Sequence, residues 1–372
     1  MRILIVHNPQ IKDFPPVRNL LENLLAHKHQ VTIITKDDTH SLRDDVANLK
    51  VIRLDSYRGN KIFNALKYVS NRNYLKYLVM EEMKENDVLW TTTDTTVRAL
   101  GDVVLQYKHV MQLMELIEDI PRFPGQEFFK LGIEKYAKRA WKVVVPEYNR
   151  AHIQKTWWEL SQVPVVLPNK PYSIPSQTKD SKELNAVIQK MEQEERKIVL
   201  YQGVFYGDRN LDAFAEAVES LQDEYCLYIM GKDNELRRKL CETYSSITYV
   251  PFVQAPNHLL ITKHADVGLL PYIPTKTFHY SELNALYCAP NKIYEYAAFG
   301  LPMIGSDVPG LALPFEKYGM GVCCKRLTAD EVKTALCYVA EHFQEMKRNC
   351  VAFYDGIDLD EIVNKEILEV EL

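Results

Sequence analysis

The sequence predicts an α/β protein with two Rossmann-like, doubly wound parallel-sheet domains. Three observations carry this. At 372 residues the chain has room for two domains of roughly 150 residues each. It opens on an aliphatic run, Ile3 to Val6, followed by a helical pattern and a second strand. The same series restarts at Lys197 after a polar stretch, so each half begins with its own mononucleotide-type unit. Hydrophobic residues are 47% and charged residues 26% of the chain, which excludes a disordered chain, a collagen and a membrane bundle.

The first strand is expected at Arg2–His7. The next helix, about Val17–Lys28, sets Leu20, Leu21, Leu24 and Leu25 on one face, and Pro16 suits its first turn. A strand at Gln30–Thr35 closes a βαβ unit with a right-handed crossover. Strands near Val51–Leu54, Val88–Thr91, Val110–Leu113 and Val143–Val145 follow, alternating with helices. Val165 to Leu167 runs into a Pro-rich loop, and Ser173–Lys182 reads as a surface linker. The second series has strands at Lys197–Gln202, Tyr225–Met230, Ile247–Val250, Val267–Leu270, Met303–Ser306 and Val322–Lys325. A helix at Asn210–Leu221 follows the first of them, and Leu359–Leu372 reads as a short acidic amphipathic helix. The expected domains are residues 1–165 and 166–352, with residues 353–372 as a terminal helix.

Composition narrows the function. Four apolar residues at the start are too few for a signal peptide, and no stretch approaches the roughly 20 residues of a membrane span. A cytoplasmic protein is expected. Seven cysteines, an odd number with no C-x-x-C pair, read as reduced packing thiols. Residues 1–165 carry 24 basic and 20 acidic side chains, the remainder 21 and 30. The acidic second half argues against nucleic acid, while the basic first half suits something anionic.

Motifs exclude several chemistries. The first glycine is Gly59, so the first βα turn has no G-x-G-x-x-G, which argues against an NAD-dependent dehydrogenase. The chain has no P-loop, no G-x-S-x-G elbow and no H-E-x-x-H helix. The second half does offer a cradle. Gly203 ends a strand and Arg209 is expected where a helix begins, a place where backbone, helix dipole and guanidinium suit a diphosphate. Asn291, Lys292, Ile293 and Glu295 begin another short helix, with Lys292 and Glu295 on one face. A lysine near phosphate and a carboxylate accepting two ribose hydroxyls would suit a nucleotide. Taken singly, each element also fits an ordinary βα turn or an exposed Lys–Glu pair.

The run from Ala289 to Gly310, helix–Gly300-Leu301-Pro302–strand–Ser306-Asp307-Val308-Pro309-Gly310, resembles the donor domain of the retaining GT-B glycosyltransferases of the group 1 family. Other segments resemble that family in the same order. Gln202-Gly203 through Arg209 is similar to its phosphate turn, Gly231-Lys232 to its next nucleotide contact, and Val250-Pro251-Phe252 to the segment that meets the base. Ala265 through Pro271-Tyr272 is similar to the strand before the donor loop. The similarity covers most of residues 140–325. It implies a GT-B fold of two domains facing a cleft, the first taking the acceptor and the second a nucleotide-sugar, with the terminal helix crossing back. Two positions depart from the family pattern. Tyr287 stands where a first glutamate is usual, and Val204 where a cation is usual.

The resemblance implies transfer of a sugar, with retention, to a saccharide or lipid-linked saccharide in surface-polysaccharide synthesis. The acceptor hydroxyl attacks on the face the nucleotide leaves, and the donor phosphate takes the proton. Arg209 and Lys292 would stabilise the departing diphosphate, so no metal and no further cofactor are expected. If a side-chain base exists, Glu115 is the choice, since it follows a strand at the carboxyl edge of the first sheet; His7 and Asp94 are placed similarly. The loop 273–289 would build the sugar pocket, with His279 and Glu282 as candidates. The stretch 53–79 interleaves Arg53, Arg58, Lys61, Lys67, Arg72 and Lys76 with Tyr57, Phe63, Tyr68, Tyr74 and Tyr77, which suits peripheral contact with an anionic bilayer at the inner face of the membrane. It reads equally as a solvated helix whose Phe63, Leu66 and Val69 pack inward. A GT-B nucleotide-sugar epimerase and a non-catalytic nucleotide-sugar-binding scaffold are the alternatives.

Overall fold

The computed structural model describes every residue except 56–60, 124–127, 177–180, 208, 277–279 and 372, and only the backbone of 61–68. Tyr57, Arg58 and His279 therefore lie outside the described residues, and so do the side chains of Lys61, Phe63, Leu66, Lys67 and Tyr68. The chain divides into two units, Met1–Pro168 with Leu359–Leu372, and Asn169–Asp358.

The first unit is built on a parallel sheet of β1 (Arg2–Gln10), β2 (Gln30–Lys36), β3 (Leu49–Arg53), β4 (Val88–Thr91), β5 (His109–Gln112), β6 (Lys142–Val145) and β7 (Val165–Val166). Their order is β3-β2-β1-β4-β5-β6-β7, so the winding reverses between β1 and β4. Ile3, Leu4, Ile5 and Val6 are fully buried, as a parallel strand covered on both faces requires. The unit's helices are α1 (Pro15–Ala26), α2 (Lys61–Glu82), α3 (Asp94–Leu100), α4 (Glu134–Ala137) and α5 (Tyr148–Trp157). Two prolines start α1 two residues earlier than its leucine stripe suggests. Thr93 caps α3 and Glu147 caps α5, each accepting a backbone N–H three residues on.

Two buried histidines sit in this sheet. His7 on β1 and His109 on β5 hydrogen-bond the adjacent hydroxyls of Thr92 and Thr91 at 2.7 and 2.8 Å. Burial lowers both from the usual 6.5 to about 3; for His7 the nearby Lys36 adds to burial, and the Gln10 backbone opposes it. Between pH 6.5 and 3 the unfolded chain therefore binds two protons that the folded chain does not. Their contribution to stability is complete above pH 6.5 and falls as the pH drops, by up to about 2.7 kcal/mol per pH unit for the pair. Denaturant midpoints are expected to decline steeply from pH 6.5 to 4.5, and His109→Gln should remove about half of this slope. A variant slope equal to that of the wild type would refute the assignment.

On α2, Leu75 and Val79 face the core, whereas Tyr74, Tyr77 and Met80 are exposed. Val69 is 56% exposed, so the inward packing offered for it by the purely structural reading does not occur. Arg72 donates through Nε to Ala99 O at 3.0 Å. Among the described residues no helix is long and apolar enough to cross a membrane.

The second unit holds a parallel sheet of β8 (Lys197–Gln202), β9 (Tyr225–Gly231), β10 (Ile247–Pro251), β11 (Val267–Leu270), β12 (Met303–Ser306) and β13 (Gly321–Cys324). The order is β10-β9-β8-β11-β12-β13, with its reversal between β8 and β11. Around it lie α6 (Lys182–Glu192), α7 (Asp212–Ser220), α8 (Glu235–Thr243), α9 (Leu259–Thr262), α10 (Leu283–Leu286), α11 (Asn291–Ala297), α12 (Pro309–Tyr318) and α13 (Ala329–Asp355). Two apolar clusters sandwich the sheet, one including Tyr296, Leu311 and Phe315, the other Phe214, Val218 and Leu336. The helix expected from Asn210 begins at Asp212, behind Leu211, which makes no side-chain cap. Arg209 therefore sits in the turn before α7, its N–H bonded to Tyr206 O at 2.9 Å.

The tail rejoins the first unit. Its helical stretch is Glu361–Ile367, shorter than expected, and it buries Val363, Ile367 and Leu368. Asp360 accepts from Asn23 at 2.7 Å and meets His27 Nε2 at 2.9 Å, while Asn364 Oδ1 lies 2.9 Å from His29 Nε2.

Candidate functional site

In an open parallel sheet, ligands bind at the carboxyl ends of the strands where the winding reverses. In the second unit that point lies between β8, ending at Gln202, and β11, followed by Pro271 and Tyr272. Several of the predicted residues, Gly203, Arg209, Tyr272, Lys292 and Glu295, gather there.

Gly203 follows β8 with φ +145°, a conformation that side chains rarely adopt. A Cβ there would also stand 2.8 Å from Lys292 Cε and 3.0 Å from Nζ. The missing side chain is thus what lets the ammonium approach this turn. Arg209 Cζ lies 3.9 Å from the centre of the Tyr272 ring, and Lys292 Nζ lies 5.8 Å from the same ring and 5.9 Å from that of Tyr201. Two cations 83 positions apart thus share one aromatic floor. Tyr201 and Tyr272 are both buried, so the floor is rigid.

Behind them is Glu295, on α11 one turn after Lys292 and only 5% exposed. Its Oε1 lies 3.1 Å from His258 Nε2, and its Oε2 accepts from Gln202 Nε2 at 2.5 Å. Thr262 Oγ1 stands 2.7 Å from Gln202 Oε1, completing a chain of buried polar contacts. Burial alone would raise the Glu295 pKa. The neighbouring His258, the Lys292 charge and the Gln202 N–H outweigh it and hold the carboxyl below its usual range. Tyr296, the next residue, is fully buried, and its hydroxyl meets Gln202 N at 3.3 Å and Leu200 O at 3.2 Å.

One strand over, Gly231 ends β9. A Cβ on it would fall 2.1 Å from Gly203 O, so the β8 and β9 turns touch only because Gly231 has no side chain. Tyr249 donates to Gly231 O at 2.9 Å. Lys232 Nζ stands 5.1 Å over the Phe252 ring, and Pro251, the last residue of β10, and Phe252 after it are exposed. These residues line the same carboxyl edge as Gly203.

The other candidates are more dispersed. Asn291 opens α11, and Ile293 is buried in the core, so only its backbone can face a ligand. Val204 is 43% exposed, and its carbonyl accepts from Tyr201 OH. Tyr287 ends α10, while Glu282 is exposed at its start. Glu115 belongs to the first unit, beyond β5, with its carboxylate 3.9 Å from Nη1 of the buried Arg150. Asp94 starts α3; burial raises its pKa, with a further push from Glu115, against the pull of Arg98 and of backbone N–H groups. Among the described residues no group of three or more His, Cys, Asp or Glu side chains is placed to hold a metal ion. The chain does contain one Asp-x-Asp spacing, Asp358-Leu359-Asp360, but Asp360 is engaged by Asn23 and His27.

His258 and Thr262 were not singled out by the sequence. Their only signal is a four-residue spacing, one helical turn, in a segment otherwise apolar.

A family model described as glycosyl transferases group 1 matches residues 196–342, the region that contains this site. No curated protein matches the chain. Among solved structures, the chain is similar to HepE of Anabaena in complex with UDP and glucose. The likeness covers 99% of this chain and 98% of that one, at 12% identity and TM-score 0.68. It is similar to a glycosyltransferase of Rickettsia africae over 99% and 97%, at 12% identity and TM-score 0.67. It is also similar to sucrose-phosphate synthase of Thermosynechococcus elongatus over 98% and 96%, at 15% identity and TM-score 0.65. The fold is the two-domain, Rossmann-like GT-B fold. The match to the group 1 model lies within the second unit and supports a glycosyltransferase.

Proposed function

We propose that the second unit binds a nucleotide-sugar and that the first unit takes a saccharide or lipid-linked saccharide acceptor. The observation that carries this reading is the convergence of Arg209 and Lys292 on the Tyr272 ring beside Gly203, with the Glu295 carboxylate behind. Two cations at a glycine turn suit a diphosphate. A buried carboxylate kept ionised suits a ribose diol. Lys232, Pro251 and Phe252, exposed at the same edge, suit the base.

Transfer forms a bond from the acceptor oxygen to the anomeric carbon and breaks the bond from that carbon to the diphosphate. Negative charge then accumulates on the leaving group, where Arg209 and Lys292 stabilise it without a metal. We assign retention of configuration: the acceptor attacks on the face the diphosphate leaves, and its proton passes to the departing phosphate. Glu115, at the carboxyl edge of the first sheet, is the side-chain base if one takes part. The exposed Val69, Tyr74, Tyr77 and Met80 on α2 support contact with an anionic bilayer. Synthesis of a surface polysaccharide is the pathway we infer.

A thermal-shift panel of UDP, GDP, CDP, ADP and their common sugars tests the donor half. Ligand at about 100 times its Kd stabilises by roughly 2.7 kcal/mol. One nucleotide should raise the melting temperature of the wild type and fail to raise that of Glu295→Ala. Indifference of the wild type to every nucleotide would refute the donor reading.

A further inference from the structure

We propose that His258 is the positioning residue for Glu295, holding one oxygen of its carboxylate so that the remaining lone pairs meet the two ribose hydroxyls of a bound nucleotide. This rests on the reading of Glu295 as the ribose ligand, and it adds a residue from a separate element to that site.

A carboxylate offers about four lone-pair positions, two on each oxygen. His258 Nε2 occupies one on Oε1 at 3.1 Å, and Gln202 Nε2 occupies one on Oε2 at 2.5 Å. One position is left on each oxygen, the number a vicinal diol needs. Gln202 is itself steered, because its Oε1 lies 2.7 Å from Thr262 Oγ1. Thr262 follows His258 by one turn, so a single segment, residues 258–262, grips the carboxylate twice: directly on one oxygen and through Gln202 on the other. His258 and Thr262 belong to neither the phosphate turn nor α11.

The carboxylate defines the direction of the contact. A carboxylate only accepts, so Nε2 carries the proton that lies toward Oε1 and His258 is the donor. Nδ1 is buried and has no hydrogen-bond partner. The side chain is 12% exposed, so water does not readily replace it. Without this donor, Oε1 would face a buried space with an unmet lone pair while the Lys292 charge draws the carboxylate along α11. Glu295 would then turn from the ribose, and Lys292 would be diverted from the phosphates.

The test compares ribose recognition with general binding. Calorimetric titration of UDP, GDP, CDP and ADP, and of the 2′-deoxy counterpart of the tightest binder, is run on wild type, Glu295→Ala, His258→Ala and His258→Gln. The wild type is expected to prefer the ribose form by roughly 10- to 100-fold. Glu295→Ala and His258→Ala should both reduce this preference to within about threefold. His258→Gln, whose amide N–H reaches the place of Nε2–H, should restore most of it. Should His258→Ala not fold, His258→Asn, too short to reach Oε1, is the loss variant. An unchanged preference in Glu295→Ala would overturn the ribose reading itself. Loss in Glu295→Ala with retention in the His258 variant would overturn the role of His258 alone. Equal weakening of both sugar forms by His258→Ala would assign His258 a merely structural role. Binding of none of the four nucleotides by the wild type would overturn both.

Discussion

Lys292→Ala is expected to lower kcat by about 10²- to 10³-fold, the usual cost of deleting one preorganised charge from a developing anion. The expectation is large because this ammonium has no substitute at its position. It sits against Gly203, in the space a side chain would fill. Val204, where the resemblance expects a cation, supplies none. Arg209 approaches the Tyr272 ring from a different turn and carries the second charge. Lys292 is half-buried and its head is polar, so its removal opens no apolar cavity and should leave the melting temperature within about 2 °C. Its charge also helps to keep Glu295 ionised. Donor binding in the variant should therefore weaken at a higher pH, on the acid side, than in the wild type. Steady-state turnover of the nucleotide-sugar found by the thermal-shift panel measures the effect. Lys292→Arg should retain part of the activity. A loss below about threefold for Lys292→Ala would remove this residue from the transfer step.

The second large effect is expected at Gly231. An alanine there would place Cβ 2.1 Å from Gly203 O and 2.7 Å from the Phe205 ring. The carbonyl is backbone, so relief requires the β8 and β9 turns to part. Overpacking of this kind costs about 3 kcal/mol, which for a unit of this size corresponds to roughly 6–12 °C in melting temperature. Parting the turns also moves Gly203 from Lys292, so nucleotide affinity should fall with stability. Gly207→Ala is the control: it lies in the same turn region, has nothing within 4 Å of its Cβ position and should change neither property. Equal melting temperatures for Gly231→Ala and Gly207→Ala would show that the contact of the two turns is not under steric control.

Much of the architecture could be read because parallel strands are buried on both faces. Such strands appear in sequence as aliphatic runs, and Ile3–Val6, Lys197–Gln202 and Val267–Leu270 were recognisable for that reason. Helix starts were harder to read. Leu211, before α7, makes no side-chain cap, so nothing in the residues separates a start at Asn210 from one at Asp212. Within the site, Gly203, Arg209, Lys292 and Glu295 were legible because glycine at a strand end and a Lys–Glu pair at helical spacing are local patterns. The structure adds what is not local. Tyr272 is shared by two cations, and Gln202 and His258 take hold of one carboxylate across 93 and 37 positions of sequence. No spacing rule connects such residues, since only the order of strands β8 and β11 and the seat of α9 bring them together. Val69 shows the converse. Its apolar character suggested burial, yet α2 turns it outward and buries Leu75 and Val79 instead.

The return of the tail to the first unit bears on synthesis. Val363, Ile367 and Leu368 cover apolar surface of a unit whose other residues end at Pro168. A ribosome that has delivered β7 must still translate residues 169–358 before those side chains emerge. At roughly 5–20 residues per second this takes on the order of 10–40 s. During that interval the nascent first unit carries an uncovered hydrophobic strip, with Asn23 and His29 bonded to water in place of their tail partners. The order of translation thus makes the unit that begins first the one that finishes last, and the strip is where a chaperone would hold the growing chain.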